Sequence, residues 1–194
     1  MFVYLMAGAR FFLVLASLDA GSSFGGMGGS RESFMAFLIE PAFLLAMMTV
    51  MGKAGSSNLL MMADAAAHNA FSIPYVLSAV AFLIILVAET GRIPVDNPDT
   101  HLELTMVHEG MVLEYSGRYL ALIHWASAMK QCIMIFLFVL IFIPWWPEGL
   151  VVKAIIVALG LAAIETSTNK MRLFRVPGFL AISGLLSLLA LVAQ

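Results

Sequence analysis

YLALIHWASAMKQCIMIFLFVLIFIPW, residues 119–145, carries one Lys, Lys130, and no other Lys, Arg, Asp or Glu. A soluble helix of that length needs a polar stripe along one side. The medium that accepts such a segment whole is the hydrocarbon of a bilayer, whose core of ~30 Å is crossed by about 20 apolar residues. Five further stretches read the same way, so the six candidate spans are 2–18, 34–52, 73–90, 119–145, 150–166 and 177–192. Composition agrees: 62% of the 194 residues are apolar and 11% charged, against the roughly 45–50% and 25% of a soluble domain. The expected fold is all-α, a single polytopic membrane helix bundle over residues 1–194.

The first stretch is read as a helix and not as a cleaved leader. It has Arg10 in its middle, no basic start and no small-x-small cleavage site before the next polar run. Cys132 is the only cysteine and lies inside the fourth span. An internal disulfide or a thiolate-held iron–sulfur cluster needs several cysteines, so any redox cofactor is expected in a partner subunit. A net charge of −2 with no basic cluster argues against nucleic acid. Lipid and other protein chains are the expected partners.

Connections between spans alternate sides of the membrane. Arg31, Arg92, Arg118, Lys170, Arg172 and Arg175 fall on one side, Lys53 and Lys153 on the other. The positive-inside rule makes the richer side cytoplasmic, with both ends of the chain opposite. The Gly-rich run GSSFGGMGGS within 19–33 lacks the GK[ST] of a phosphate-cradling loop and follows no strand, so it is expected to be a flexible turn. Residues 57–71 place Leu59, Leu60, Met62, Ala66 and Phe71 on one side, as an interfacial amphipathic helix would.

One cytoplasmic connection, 91–118, departs from this pattern. With the end of the preceding span it packs Glu89, Asp96, Asp99, Glu103, Glu109 and Glu114 into one segment, half of the chain's 12 acids. Asn97, Pro98 and Asp99 have the cap, fixed φ and charge of a helix start, which predicts a cytoplasmic acidic helix from Pro98 to about Tyr115. On its 3.6-residue period Glu103, Val107, Gly110 and Glu114 form one stripe beside Leu102, Met106, Glu109 and Leu113. Acids among apolar residues imply burial against protein, and carboxylates buried together raise one another's pKa toward neutrality, as a proton relay requires. The alternative is that they face cytosolic water or pair with Arg92 and Arg118.

Inside the spans, Arg10, Glu40, Glu89, His124, Lys130 and Glu165 interrupt apolar helices. A charge facing lipid there costs about 2.5–3.5 kcal/mol, so such residues are expected in the bundle interior. Glu40 and Glu89 would extend the acidic line into the membrane, with Arg10 or Lys130 as counter-charges. A metal site built on His101, His108 and Glu109 is not expected, because HEGMV has no second histidine at the HExxH spacing. No Ser/His/Asp grouping is evident from spacing, so no catalytic residue is assigned.

The segment AETGRIPVDNPDTHLELTMVHEGMVLEYSG, residues 88–117, resembles the loop of the quinone-proximal membrane subunit of respiratory complex I. In its closer form it is similar to the corresponding subunit of formate hydrogenlyase, hydrogenase-4 and related energy-converting nickel–iron hydrogenases. Arg31 and Glu40, nine apart, and MRLFRVP before the last span agree with that family. The resemblance implies a subunit at the junction with a hydrophilic arm, coupling electron transfer there to proton translocation through Glu40, Glu89, Asp96, Glu103 and Glu114. Arg10, Arg31, Arg92 and Lys130 are the candidate counter-charges. It also implies large and small peripheral subunits, with iron–sulfur clusters and a nickel–iron centre outside this chain, antiporter-like membrane subunits, and an inner-membrane location. Family members have about eight spans and a GPNRVG-like loop that lines a quinone cavity. This sequence matches the last six spans, which leaves quinone binding here open. The rival classes are a stand-alone transporter or channel, for which no inverted repeat is evident, and a purely structural anchor.

Overall fold

The computed structural model describes residues 1–69, 71–91, 93, 95–96, 107–144, 149–169, 171 and 175–194. Among these the chain is helical throughout and forms no strand: α1 (Phe2–Asp19), α2 (Ser23–Ala54), α3 (Leu59–Asn69), α4 (Ile73–Glu89), α5 (His108–Val112), α6 (Gly117–Phe142), α7 (Leu150–Ser167) and α8 (Val176–Val192). The helices α1, α2, α6 and α7 are long and apolar enough to cross a bilayer, and α4 and α8 are shorter and equally apolar. The chain is a multi-pass membrane helix bundle.

The centre of the bundle is α2, which packs against α1, α3, α4, α5 and α8. Its 32 residues give a rod of about 48 Å, longer than a bilayer core is thick. Here the structure corrects the sequence reading. The Gly-rich run is not a turn. Ser22 accepts a hydrogen bond from Gly25 N–H at 3.0 Å, caps the helix, and α2 runs through the glycines without a break. Gly25, Gly28 and Gly29 are buried. A Cβ on Gly25 would strike the Ser17 carbonyl, one on Gly29 would lie 2.7 Å from Ser17 Oγ, and one on Gly28 would lie 2.9 Å from both Val107 O and Met111 N. The glycines are there because two other segments approach α2 backbone to backbone, the use small residues have in membrane helices.

The core between α2, α4, α6 and α8 is aromatic and aliphatic. Phe82 is fully buried, with ring centroids 5.2 Å from Phe43, 5.8 Å from Phe138 and 5.4 Å from Phe142. Ser78 Oγ donates to the Ala46 carbonyl at 2.9 Å, so a polar group inside this core is paired and ties α4 to α2. Outside it, α7 touches mainly α6, and α1 leaves Phe11 and Phe12 exposed.

Two other expectations are changed in detail. In α3 only Met62 and Ala66 turn into the core, while Leu60, and Phe71 beyond the helix end, are exposed. The acidic helix predicted from Pro98 to Tyr115 is described only from Val107. From there α5 ends at Val112, where Tyr115 N–H closes a turn on the Val112 carbonyl at 3.0 Å. Gly117, at φ 57°, then opens α6. The part at 97–106, with Glu103 and His101, lies outside the described residues, as does Arg92.

Candidate functional site: a buried charge cluster beside a cleft

Arg10 lies midway along α1, 8% exposed, and points to α2 and α4. Its guanidinium meets three carboxylates. Nη1 donates to Glu40 Oε1 at 3.3 Å, Nη2 donates to Glu89 Oε1, and Nε lies 3.1 Å from Glu32 Oε1 as an ion pair without hydrogen-bond alignment. From the far side Lys130 of α6 reaches Glu89 Oε2, with Nζ at 2.7 Å. A guanidinium suits this position because its planar fork spreads five donors over three nitrogens in fixed directions, whereas an ammonium offers three donors from a single point. Four helices thus contribute one shared network: Arg10 from α1, Glu32 and Glu40 from α2, Glu89 from α4 and Lys130 from α6.

Above the cluster a cleft of about 590 Å³ opens between α1 and α6. Its walls are apolar, including Leu13, Met35 and Ile133. Arg10, Glu32, Glu89 and Lys130 lie at its polar part, together with Asp96, His108 and Glu109 from the connection. Asp96 is buried, and its Oδ2 accepts from the backbone N–H of Val107 at 3.3 Å and of His108 at 3.1 Å. That carboxylate therefore holds the start of α5 in place. Tyr115 pins the other end, its hydroxyl donating to the Ala16 carbonyl of α1 at 2.8 Å. Between these two ties, Val107, Gly110 and Met111 lie against the glycine face of α2.

Of the residues singled out from sequence, Glu40, Glu89, Arg10 and Lys130 come together here, and Asp96 lines the same cleft. Glu114 is exposed, past the end of α5. Arg31 lies on α2 with its guanidinium 3.1 Å from Met27 Sδ. His124 is on an exposed face of α6. Among the described residues no group of three or more His, Cys, Asp or Glu is arranged to hold a metal ion. Sequence reasoning missed Glu32. Once α2 is extended through the glycines, the eight-residue spacing from Glu32 to Glu40 puts the two carboxylates about 80° apart around the helix, on the side that Arg10 reaches.

Over residues 1–193 the chain matches the family model described as NADH dehydrogenase. Formate hydrogenlyase subunit 4 of Escherichia coli is 34% identical over 186 residues, covering 88% of this chain and 60% of the relative. Hydrogenase-4 component C of Escherichia coli is 38% identical over 143 residues, 73% of this chain and 44% of the relative. An NADH-quinone oxidoreductase subunit of Rhodospirillum rubrum is 28% identical over 135 residues, 69% of this chain and 39% of the relative. The chain thus spans between two-fifths and three-fifths of the length of these relatives. A match to the family model along almost its whole length means that this chain belongs to the NADH dehydrogenase family.

Proposed function

We propose that this chain is a membrane subunit of a complex I-like hydrogenase of the formate hydrogenlyase type, and that its buried cluster carries protons whose movement is coupled to electron transfer in partner subunits. One observation carries the reading: Arg10 and Lys130, from two helices, bracket Glu89 at the polar part of a cleft, with Glu32 and Glu40 beside it. A carboxylate bracketed by two cations can take up a proton when either cation moves away, so a small displacement of α1 or α6 is coupled to a proton. A structural anchor has no use for such an arrangement at the cost of burying it. Asp96, by fixing α5, links the cleft to the connection at 97–106, where Glu103 lies; in this reading the connection is cytoplasmic and meets the peripheral large and small subunits. Glu114, exposed beyond α5, serves as an outer member of the path. Iron–sulfur clusters and a nickel–iron centre belong to those partners, and antiporter-like subunits adjoin within the membrane.

The test is Glu89→Gln in the assembled complex in inverted membrane vesicles, with electron transfer and proton uptake measured together. The expected result is normal assembly with proton uptake per electron reduced on the order of a hundredfold, the scale of losing a proton-transfer group. Full proton uptake in that variant would favour the structural anchor.

A further inference from the structure

His108 opens α5 and lines the cleft with Glu32. Its Nε2 is shut off from solvent and meets no hydrogen-bond partner among the described residues. A buried polar nitrogen without a partner is costly and calls for a reason. The surroundings supply one. The charged groups lining the same cleft are Glu32 of α2, Arg10 of α1, Glu89 of α4, Lys130 of α6, the connection's Asp96, and the adjoining Glu109 of α5. Among the charges acting on His108, that of Glu32 is the strongest and favours the imidazolium, while Lys130 opposes it. The ring's backbone is fixed, because Asp96 accepts its N–H and the preceding one.

We propose that His108 passes protons between the cleft and the Arg10 cluster, with Glu32 as its immediate partner. This rests on the relay reading above and names its entry. In the step, the ring nitrogen other than the enclosed Nε2 takes a proton from a hydronium ion in the cleft, leaving water, and the ring becomes an imidazolium. The imidazolium then gives a proton to the Glu32 carboxylate, and the ring returns to neutral; no electrons move. The weakened Arg10–Glu32 pair leaves Arg10 to Glu89 and Glu40, which joins the step to the rest of the network. Burial, the largest influence on the ring, holds its pKa below the ordinary 6.5, so near neutral pH the ring is an acceptor.

The test compares His108→Ala, His108→Gln, Glu32→Gln and Glu89→Gln in the assembled complex in inverted vesicles, between about pH 5 and 8. His108→Ala is expected to lower proton uptake per electron on the order of a hundredfold. Added imidazole, which the cleft can admit, restores it. In Glu32→Gln imidazole restores nothing, and in His108→Gln the acid-side fall in proton uptake seen below the ordinary histidine pKa disappears. Full uptake in His108→Ala, or a loss in an assembled complex that imidazole does not restore, overturns the proposal. If Glu89→Gln fails to pump while His108→Ala pumps normally, the relay stands and its entry lies elsewhere. If both pump normally, both readings fall. Should His108→Ala not assemble, an unchanged pH profile in His108→Gln is the overturning result.

Discussion

Removing Arg10 leaves Glu32, Glu40 and Glu89 facing one another with Lys130 alone to balance them. Stripping the partner from buried charges costs about 3–5 kcal/mol, so Arg10→Ala is expected to lower the thermal midpoint of the purified complex or prevent its assembly. Arg10→Lys keeps the charge but replaces the fork with a point donor, and should fall between the two. An Arg10→Ala complex as stable as the parent would mean that the network contributes nothing to the fold. At this scale much was legible from sequence. The argument that charges in an apolar helix face inward selected Arg10, Glu40, Glu89 and Lys130, but also His124, which lies on an exposed face of α6, and Glu165, half-buried on α7. Glu32 was not legible, because assigning the glycine run to a turn removed the helical register that turns it, with Glu40, toward Arg10.

That misassignment belongs to the scale of the element. Glycine is a turn former in water because it relaxes the backbone. In a close-packed helix it is instead a flat place, and sequence does not say which until a neighbour is known. Here the neighbours are Ser17 and the α5 segment, the second brought back from some eighty residues later in the chain. Gly28→Ala is expected to push α5 off α2, since its Cβ would lie 2.9 Å from main-chain atoms that cannot rotate away; overpacking of this kind costs typically 1–3 kcal/mol. Hydrogen exchange over residues 107–116 reads the displacement as faster exchange. Gly26→Ala, whose Cβ meets nothing within 4 Å, is the control and should leave that exchange unchanged.

For the whole molecule, composition sufficed to place the chain in a membrane and the length of the apolar stretches to find the spans, but the way the helices pack was not readable. Apolar faces in lipid are not marked by a polar opposite face, so nothing in α7 announces that it leans mainly on α6. The orientation proposed from the Lys and Arg distribution gives a direct check. After Cys132→Ser removes the native thiol, Ser57→Cys in the connection after α2 and Glu114→Cys beyond α5, both exposed positions, are labelled with an impermeant maleimide. Glu114→Cys should react from the cytoplasmic side and Ser57→Cys from the opposite side. The reverse pattern inverts the bundle.

The charge network also has an arithmetic. Its ion pairs set two cations, Arg10 and Lys130, against three carboxylates, Glu32, Glu40 and Glu89. A surplus of one negative charge is expensive in a network whose central pair, Arg10 and Glu89, is only 8% exposed, and a single added proton cancels it. A second proton would tip the balance the other way at similar expense. In the relay proposed here the network is therefore a register with one place. The number of protons it hands on in each pass is set by how many fixed cations the bundle holds, and not by how acidic any one of its carboxylates is.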